Sequence, residues 1–317
     1  MRSPLNKRLF RELRGEFGKY LVIFILMTLT IGMVSGFLVA DGSMIQAYEE
    51  SFEKYNIENG HFRTEKKMNN AQIQDIEDLG IKLYENYYVE EALTNGSTMR
   101  IFKNRDEVNK VCLMKGKMPE KPGEIGIDRM YADNNDLSVG DEIESGGYTW
   151  KITGLVALSD YSALFSNNND SMFDSVKFGV SVVCPEEFDS YKADQLNYSY
   201  AWKYNTEPKN EKAEKDISED LMEDVAKEVT LEEFVPRYTN QAIIFTGDDM
   251  GGDRSMMIVL LYIIIVIMAF VFAITTSNTI RKEANVIGTL RASGYTRGEL
   301  IRHYMAAPVF VTFIGAI

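Results

Sequence analysis

Two stretches decide the architecture: Tyr20–Ala40, YLVIFILMTLTIGMVSGFLVA, and Met256–Ser277, MMIVLLYIIIVIMAFVFAITTS. Each holds about 20 residues without a charge, the length needed to cross ~30 Å of hydrocarbon as a helix. Between them lies a long polar stretch that can fold in water. The layout predicts an α+β membrane protein, with transmembrane α-helices flanking a mixed α+β extracytoplasmic domain. The expected boundaries are a cytoplasmic basic helix over 1–19, a first span over 20–40 and an outer domain over 41–255. A second span over 256–277, a cytoplasmic turn over 278–304 and the start of a third span over 305–317 follow.

Charge assigns the sides. The chain has 34 basic and 47 acidic side chains, net −13. Residues 41–253 hold 22 of the basic and 43 of the acidic groups, a local net charge of −21. Lys and Arg near spanning helices are retained on the cytoplasmic side. Arg2, Lys7, Arg8, Arg11, Arg14 and Lys19 precede the first span, and Arg281, Lys282, Arg291, Arg297 and Arg302 follow the second. Both flanks therefore read as cytoplasmic and the acidic domain as external, in a multi-pass plasma-membrane protein. A cleaved signal peptide would have an apolar core of only ~7–15 residues and a small-x-small cleavage site. Leu38-Val39-Ala40 fits that site poorly, so the segment reads as an uncleaved anchor.

Chemistry-bearing residues are sparse. His61 and His303 are the only histidines, which argues against a histidine-based triad, and no Cys or His cluster has metal-site spacing. Cys112 and Cys184 read as buried free thiols, although an oxidising location permits a disulfide. Asp248, Asp249 and Asp253, near Gly251 and Gly252, read as a solvated loop, since their spacing does not match an EF-hand. The acidic outer domain either attracts cationic peptides and wall-associated cations or serves only solubility. No paired carboxylates stand out as catalytic. The expectation is a non-catalytic membrane subunit without a cofactor, metal or nucleic-acid partner.

Helical spacing adds detail. Ser3-Pro4 has the form of a helix start, and Leu5, Leu9, Leu13 and Phe17 recur on one side of a basic segment. Such a segment either lies in the headgroup layer or is a plain basic flank. In the first span Thr28, Gly32, Gly36 and Ala40 share one face, as do Ala269, Ala273 and Ser277 in the second. Small residues in a row let another helix approach closely. In the outer region, 41–55, Asn70–Leu79 and 211–229 read as helices. Lys82–Leu93, Thr98–Phe102, Lys110–Lys115 and Tyr148–Val156 read as strands. Asn167–Asp170 reads as a polar loop tip and Asn205–Asn210 as a loop.

After the second span comes Ile287-Gly288-Thr289-Leu290-Arg291-Ala292-Ser293-Gly294. Gly294 is a natural helix stop, and Thr296 and Glu299 have capping-box spacing for the next helix. This pattern resembles the FtsX/MacB-type permease family of ABC transporters. Gly116-Lys117-Met118-Pro119 with Pro122-Gly123-Glu124-Ile125 is similar to a family element of the outer domain. Val139-Gly140-Asp141-Glu142-Ile143 and Ile152-Thr153-Gly154-Leu155-Val156 resemble two more. The family commonly has Glu directly before Ile-Gly; here Val286 stands there, and Glu283 lies three residues earlier.

The resemblance implies an N-terminal fragment of a longer permease. It also implies a coupling element formed by Arg281, Glu283, Ile287, Gly288, Leu290, Arg291, Ala292 and Gly294. That element would dock on a separate cytoplasmic ATPase, beside a second permease copy or homologue. No Walker A sequence occurs, so no P-loop binds ATP in this chain. ATP-driven movement of the partner would then reach the outer domain mechanically, in export, extraction or resistance. The alternative role is regulation of a cell-wall enzyme or sensor without moving a substrate.

Overall fold

The computed structural model describes residues 11 and 14–315. Most of the expected basic helix over 1–19, including its leucines, lies outside the described residues. The chain divides into two compact units, Met1–Ile45 with Met250–Ile317 and Gln46–Asp249.

Helix α1 runs over Phe17–Lys54 and contains the first apolar stretch. The later helix α6, Gln241–Lys282, contains the second. These two helices are long and apolar enough to cross a membrane. Only 17% and 6% of their most apolar windows are buried, so neither is the core helix of a soluble domain. At 1.5 Å per residue both exceed the ~30 Å of a hydrocarbon core. In the first unit they meet the C-terminal helix α8, Arg297–Gly315. Ile23, Met27 and Val311 form the centre of that contact, with Phe24, Met268 and Phe272 packed around them. Bulky residues make the contact, whereas Gly32 and Gly36 face open space. Ala40, Ala269, Ala273 and Ser277 are also exposed.

The second unit is α+β. One antiparallel sheet has the order β11-β1-β10-β2, from strands β1 (Gly60–Thr64), β2 (Ile81–Glu85), β10 (Tyr198–Tyr204) and β11 (Leu231–Pro236). The other has the order β3-β4-β9-β6-β8-β5, with β7 paired to β8. Its strands are β3 (Tyr88–Ala92), β4 (Thr98–Lys103), β5 (Val111–Gly116), β6 (Glu124–Asp128), β7 (Glu142–Ser145), β8 (Tyr148–Leu158) and β9 (Phe178–Val183). Helices α2 (Asn70–Glu77), α3 (Arg129–Asn134), α4 (Pro185–Phe188) and α5 (Glu211–Glu228) complete the unit, and α7 (Ala284–Ala292) belongs to the first.

Local chemistry explains these elements. Asn69 and Gln72 form a reciprocal capping box for α2, and Gly80 ends the segment at φ +95°. β1 alternates buried and half-buried residues, as a strand with one covered face does. β9 is buried at every position because it runs between β4 and β6 under cover on both faces. One core serves both sheets, with Phe62, Tyr200 and Trp202 from the first and Ile125, Ile127, Val180 and Val182 from the second.

Three expectations need correction. The run Lys82–Leu93 is two strands in different sheets, because the chain crosses from one sheet to the other at Asn86-Tyr87. Asp248, Asp249 and Asp253 lie within α6 rather than in a loop. Ile243, Met250 and Met257 are buried seven residues apart, so one packed face carries the helix through Gly251 and Gly252 despite a cost of roughly 1 kcal/mol per glycine. Cys112 is half-buried rather than buried, and both thiols are free. Asn167–Asp170 is a loop, as expected, and the Asn168 side chain accepts the Gln241 N–H at 2.8 Å, which anchors the start of α6.

The family-like elements have local reasons. Gly116 sits at φ +80°, and a Cβ there would lie 2.3 Å from the Thr153 carbonyl oxygen. Lys117 N–H donates to that same oxygen at 2.9 Å, so the chain turns tightly against β8. Glu124 accepts the Glu120 N–H at 3.0 Å and closes the following loop. Gly116→Ala should therefore lower the unfolding free energy by about 2–4 kcal/mol, from strain plus overlap. Chemical denaturation of the full chain in detergent measures this, and an unchanged midpoint contradicts it.

Candidate functional site

The turn after the second apolar helix is built from strong local signals. α7 ends in a Schellman motif: Tyr295 N–H donates to the Leu290 carbonyl at 3.2 Å and Gly294 N–H to the Arg291 carbonyl at 3.1 Å. Gly294 takes φ +94°, the left-handed conformation that motif requires. Thr296 then starts α8. Its N–H donates to Glu299 Oε2 at 2.9 Å, and its Oγ1 accepts the Glu299 N–H at 3.3 Å. The Thr296 backbone N–H, then its hydroxyl, hold the Glu299 carboxyl below its usual value.

Within this short hairpin Arg281, Gly288, Arg291, Ala292 and Gly294 are exposed, whereas Glu283, Ile287 and Leu290 are half-buried. The eight residues expected to couple thus share one turn, but they do not share one environment. Glu283 Oε2 accepts the Tyr304 hydroxyl hydrogen at 2.5 Å. A second polar group lies close by. Lys19 Nζ donates to Thr279 Oγ1 at 2.9 Å and to Glu16 at 2.7 Å, while Lys282 reaches Glu16 at 3.3 Å. Neither cluster was expected from sequence, since Lys19 and Thr279 are 260 residues apart.

The other concentration of polar chemistry is buried in the α+β unit. Glu58 is 1% exposed. Its Oε1 lies 2.6 Å from His61 Nδ1, and its Oε2 accepts the Asn109 amide at 2.6 Å. Arg105 grips Asp160 with two bonds of 2.7 and 2.8 Å and donates to Asn86 at 2.9 Å. Arg100 donates to Glu90, to the Tyr161 hydroxyl and to the Ser166 carbonyl, and it lies over the Tyr88 ring. His61, Arg63, Arg100, Asp160, Tyr161 and Glu233 line a small polar cavity. Asn109 and Arg105 follow β4 of one sheet, whereas His61 is on β1 of the other, so the network ties the two sheets together. Its charges face one another, an arrangement that holds a fold. Partners 51 and 55 residues apart leave no spacing signal; only Glu58 and His61, three apart, hint at it.

Among the described residues, no group of three or more His, Cys, Asp or Glu side chains is arranged to hold a metal ion. Asp248, Asp249 and Asp253 are exposed along α6.

Residues 258–317 match the family model described as FtsX-like permease C-terminal. This segment carries the FtsX-like permease signature. The match begins inside the second apolar stretch and includes α7, the Gly294 turn and α8. The permease family is of ABC-transporter type. Among solved structures the chain is similar to the periplasmic region of MacB from Actinobacillus actinomycetemcomitans. Identity there is 11% and the TM-score 0.30, over 54% of this chain and 85% of that one. It is also similar to the extracellular domain of the noncanonic ABC-type transporter YknZ from Gram-positive bacteria, at 11% identity and a TM-score of 0.28. That alignment covers 55% of this chain and 98% of the other. No curated protein matches the chain.

The buried pair sets a pH dependence. Burial works to raise the Glu58 carboxyl, but the charge and hydrogen bond of His61, with Asn109, outweigh it and hold Glu58 low. Burial works to lower the His61 imidazole, but the Glu58 charge and hydrogen bond outweigh it and hold His61 high. The Glu58 contribution is present above the unfolded carboxyl value and lost as pH falls through its folded value. The His61 contribution is complete below the unfolded imidazole value and lost as pH rises through the raised one. His61→Gln should therefore lower the melting temperature more at about pH 6 than at about pH 9. Thermal scans of the full chain at both pH values check this; equal losses contradict it.

Proposed function

We propose that this chain is the permease subunit of an ABC-type transporter and that residues 281–302 dock on a separate cytoplasmic ATPase. The observation that carries the reading is the match over 258–317, whose residues include a hairpin with Gly288 and Arg291 exposed. Basic residues crowd this end of α6, with Arg281 and Lys282 in its last turn, which supports a cytoplasmic position. On the same charge argument the acidic unit is extracytoplasmic.

The mechanism is transmission. Closure of a pair of ATPases moves the docked hairpin, and α6 carries the displacement away from the turn. The helix suits that task because its hydrogen-bond ladder is continuous over Gln241–Lys282. The exposed rows Thr28, Gly32, Gly36 and Ala40, with Ala269, Ala273 and Ser277, are the surfaces proposed to meet a second permease copy or homologue. Small residues there allow close backbone approach.

Arg291→Glu reverses an exposed charge without touching the packing of α7. Gly288→Pro removes a backbone donor inside α7 and breaks its helix. Each should weaken co-purification of the cognate P-loop ATPase and cut its stimulated activity by about tenfold or more. Unchanged association and stimulation in both variants place the docking surface elsewhere.

A further inference from the structure

Glu283 stands where the second apolar helix gives way to the turn. Its backbone departs from helical geometry, at φ −100° and ψ 13°, and α7 begins at the next residue. The ladder nevertheless continues: Glu283 N–H donates to the Thr279 carbonyl at 3.0 Å, and Ile287 N–H donates to the Glu283 carbonyl at 2.9 Å. The site is a kink within a connected helix. Such kinks have identifiable local causes, and no proline stands here.

An acidic side chain at the start of a helix favours its own first turn, where free N–H groups and the helix dipole attract it. Glu283 makes no such cap. Its carboxylate goes instead to Tyr304, two turns into α8, at 2.5 Å. Tyr304 is only 9% exposed, and its ring packs edge-on against His303 at 5.1 Å. An O–H···O⁻ bond this short belongs to the strong, charge-assisted class. It closes the base of the hairpin formed by α7, the Gly294 turn and the start of α8. The helix end before the kink is held independently, by Lys19 on Thr279 and Glu16 on Lys282.

We propose that Glu283 and Tyr304 are positioning residues that set the angle of the hairpin 284–302 against α6. Glu283 then works inside the chain, not at the ATPase surface. The inference deepens the docking reading and rests on it for its consequence, that a hairpin held at a fixed angle transmits movement and a loose one absorbs it.

The test uses the full chain in lipid nanodiscs, with Cys112 and Cys184 replaced by serine and spin labels on Ser277→Cys and Ser293→Cys. The distance distribution between the labels reports the hairpin angle without any partner. Tyr304→Phe and Glu283→Ala should broaden it, lowering the ratio of held to released hairpin about tenfold, as loss of a hydrogen bond to a charged group does. Glu283→Gln keeps an acceptor oxygen and should retain most of the narrow distribution. A Tyr304→Phe distribution that superimposes on the parent's overturns the proposal. In a second arm, Tyr304→Phe should keep the ATPase bound while losing its stimulation; loss of binding instead makes Tyr304 part of the docking surface and also overturns it. If Arg291→Glu leaves docking intact, the docking reading falls, and the label distances still decide the positioning role.

Discussion

In hydrocarbon there is no water to satisfy a peptide group, so a spanning segment must pair its N–H and C=O groups within itself. That constraint shapes what the apolar stretches can be. Both are embedded in helices of 38 and 42 residues, and their departures from regular helix fall outside the apolar windows. Glu283 and Gly294 lie beyond the second window, where charged residues gather and irregular backbone is tolerated. The turn is therefore confined to a short stretch at the edge of the apolar part. Its irregularity is compensated by a Schellman motif, a capping box and one buried tyrosine.

The α+β unit solves a different problem. It carries a large negative charge, and three of its acids meet basic partners: buried Glu58 with half-buried His61, buried Asp160 with Arg105, and exposed Glu90 with Arg100, while buried Asp128 and Glu187 are held by neutral donors. Removing one partner of such a pair leaves an uncompensated charge, which costs far more than the pair contributes. Because Asn109 and Arg105 come from one sheet's connections and His61 from the other sheet, that penalty fixes how the sheets meet. Surface charge can then vary without disturbing the core.

How much was legible depended on the range of the interaction. Apolar length and charge asymmetry identified α1 and α6 directly, and the signals at Gly80, Gly294 and Thr296–Glu299 worked because capping is local. Thr98–Phe102 and Tyr148–Val156 showed β-rich composition, and both lie within strands. The crossing at Asn86-Tyr87 was hidden because Lys82–Leu93 is uniformly strand-like, and only tertiary pairing assigns its halves to different sheets. The Asp248–Asp253 segment looked like a loop because glycine and aspartate favour turns; buried Ile243, Met250 and Met257 overrode them. At the candidate docking turn the pattern located the hairpin but not the inward use of Glu283, whose partner Tyr304 carries no mark in the sequence.

The strand order of the smaller sheet bears on assembly. β1 leaves the first helix almost at once, but both its neighbours, β10 and β11, come from more than 130 residues later. Such non-local closure is entropically expensive and slow. During synthesis the early strand has both edges bare until β10 emerges and one edge bare until residues near Pro236 follow, only a few positions before α6 begins. Polypeptides arrested anywhere upstream thus expose a ready template for wrong pairing, and quality control at the membrane has a defined window in which to act.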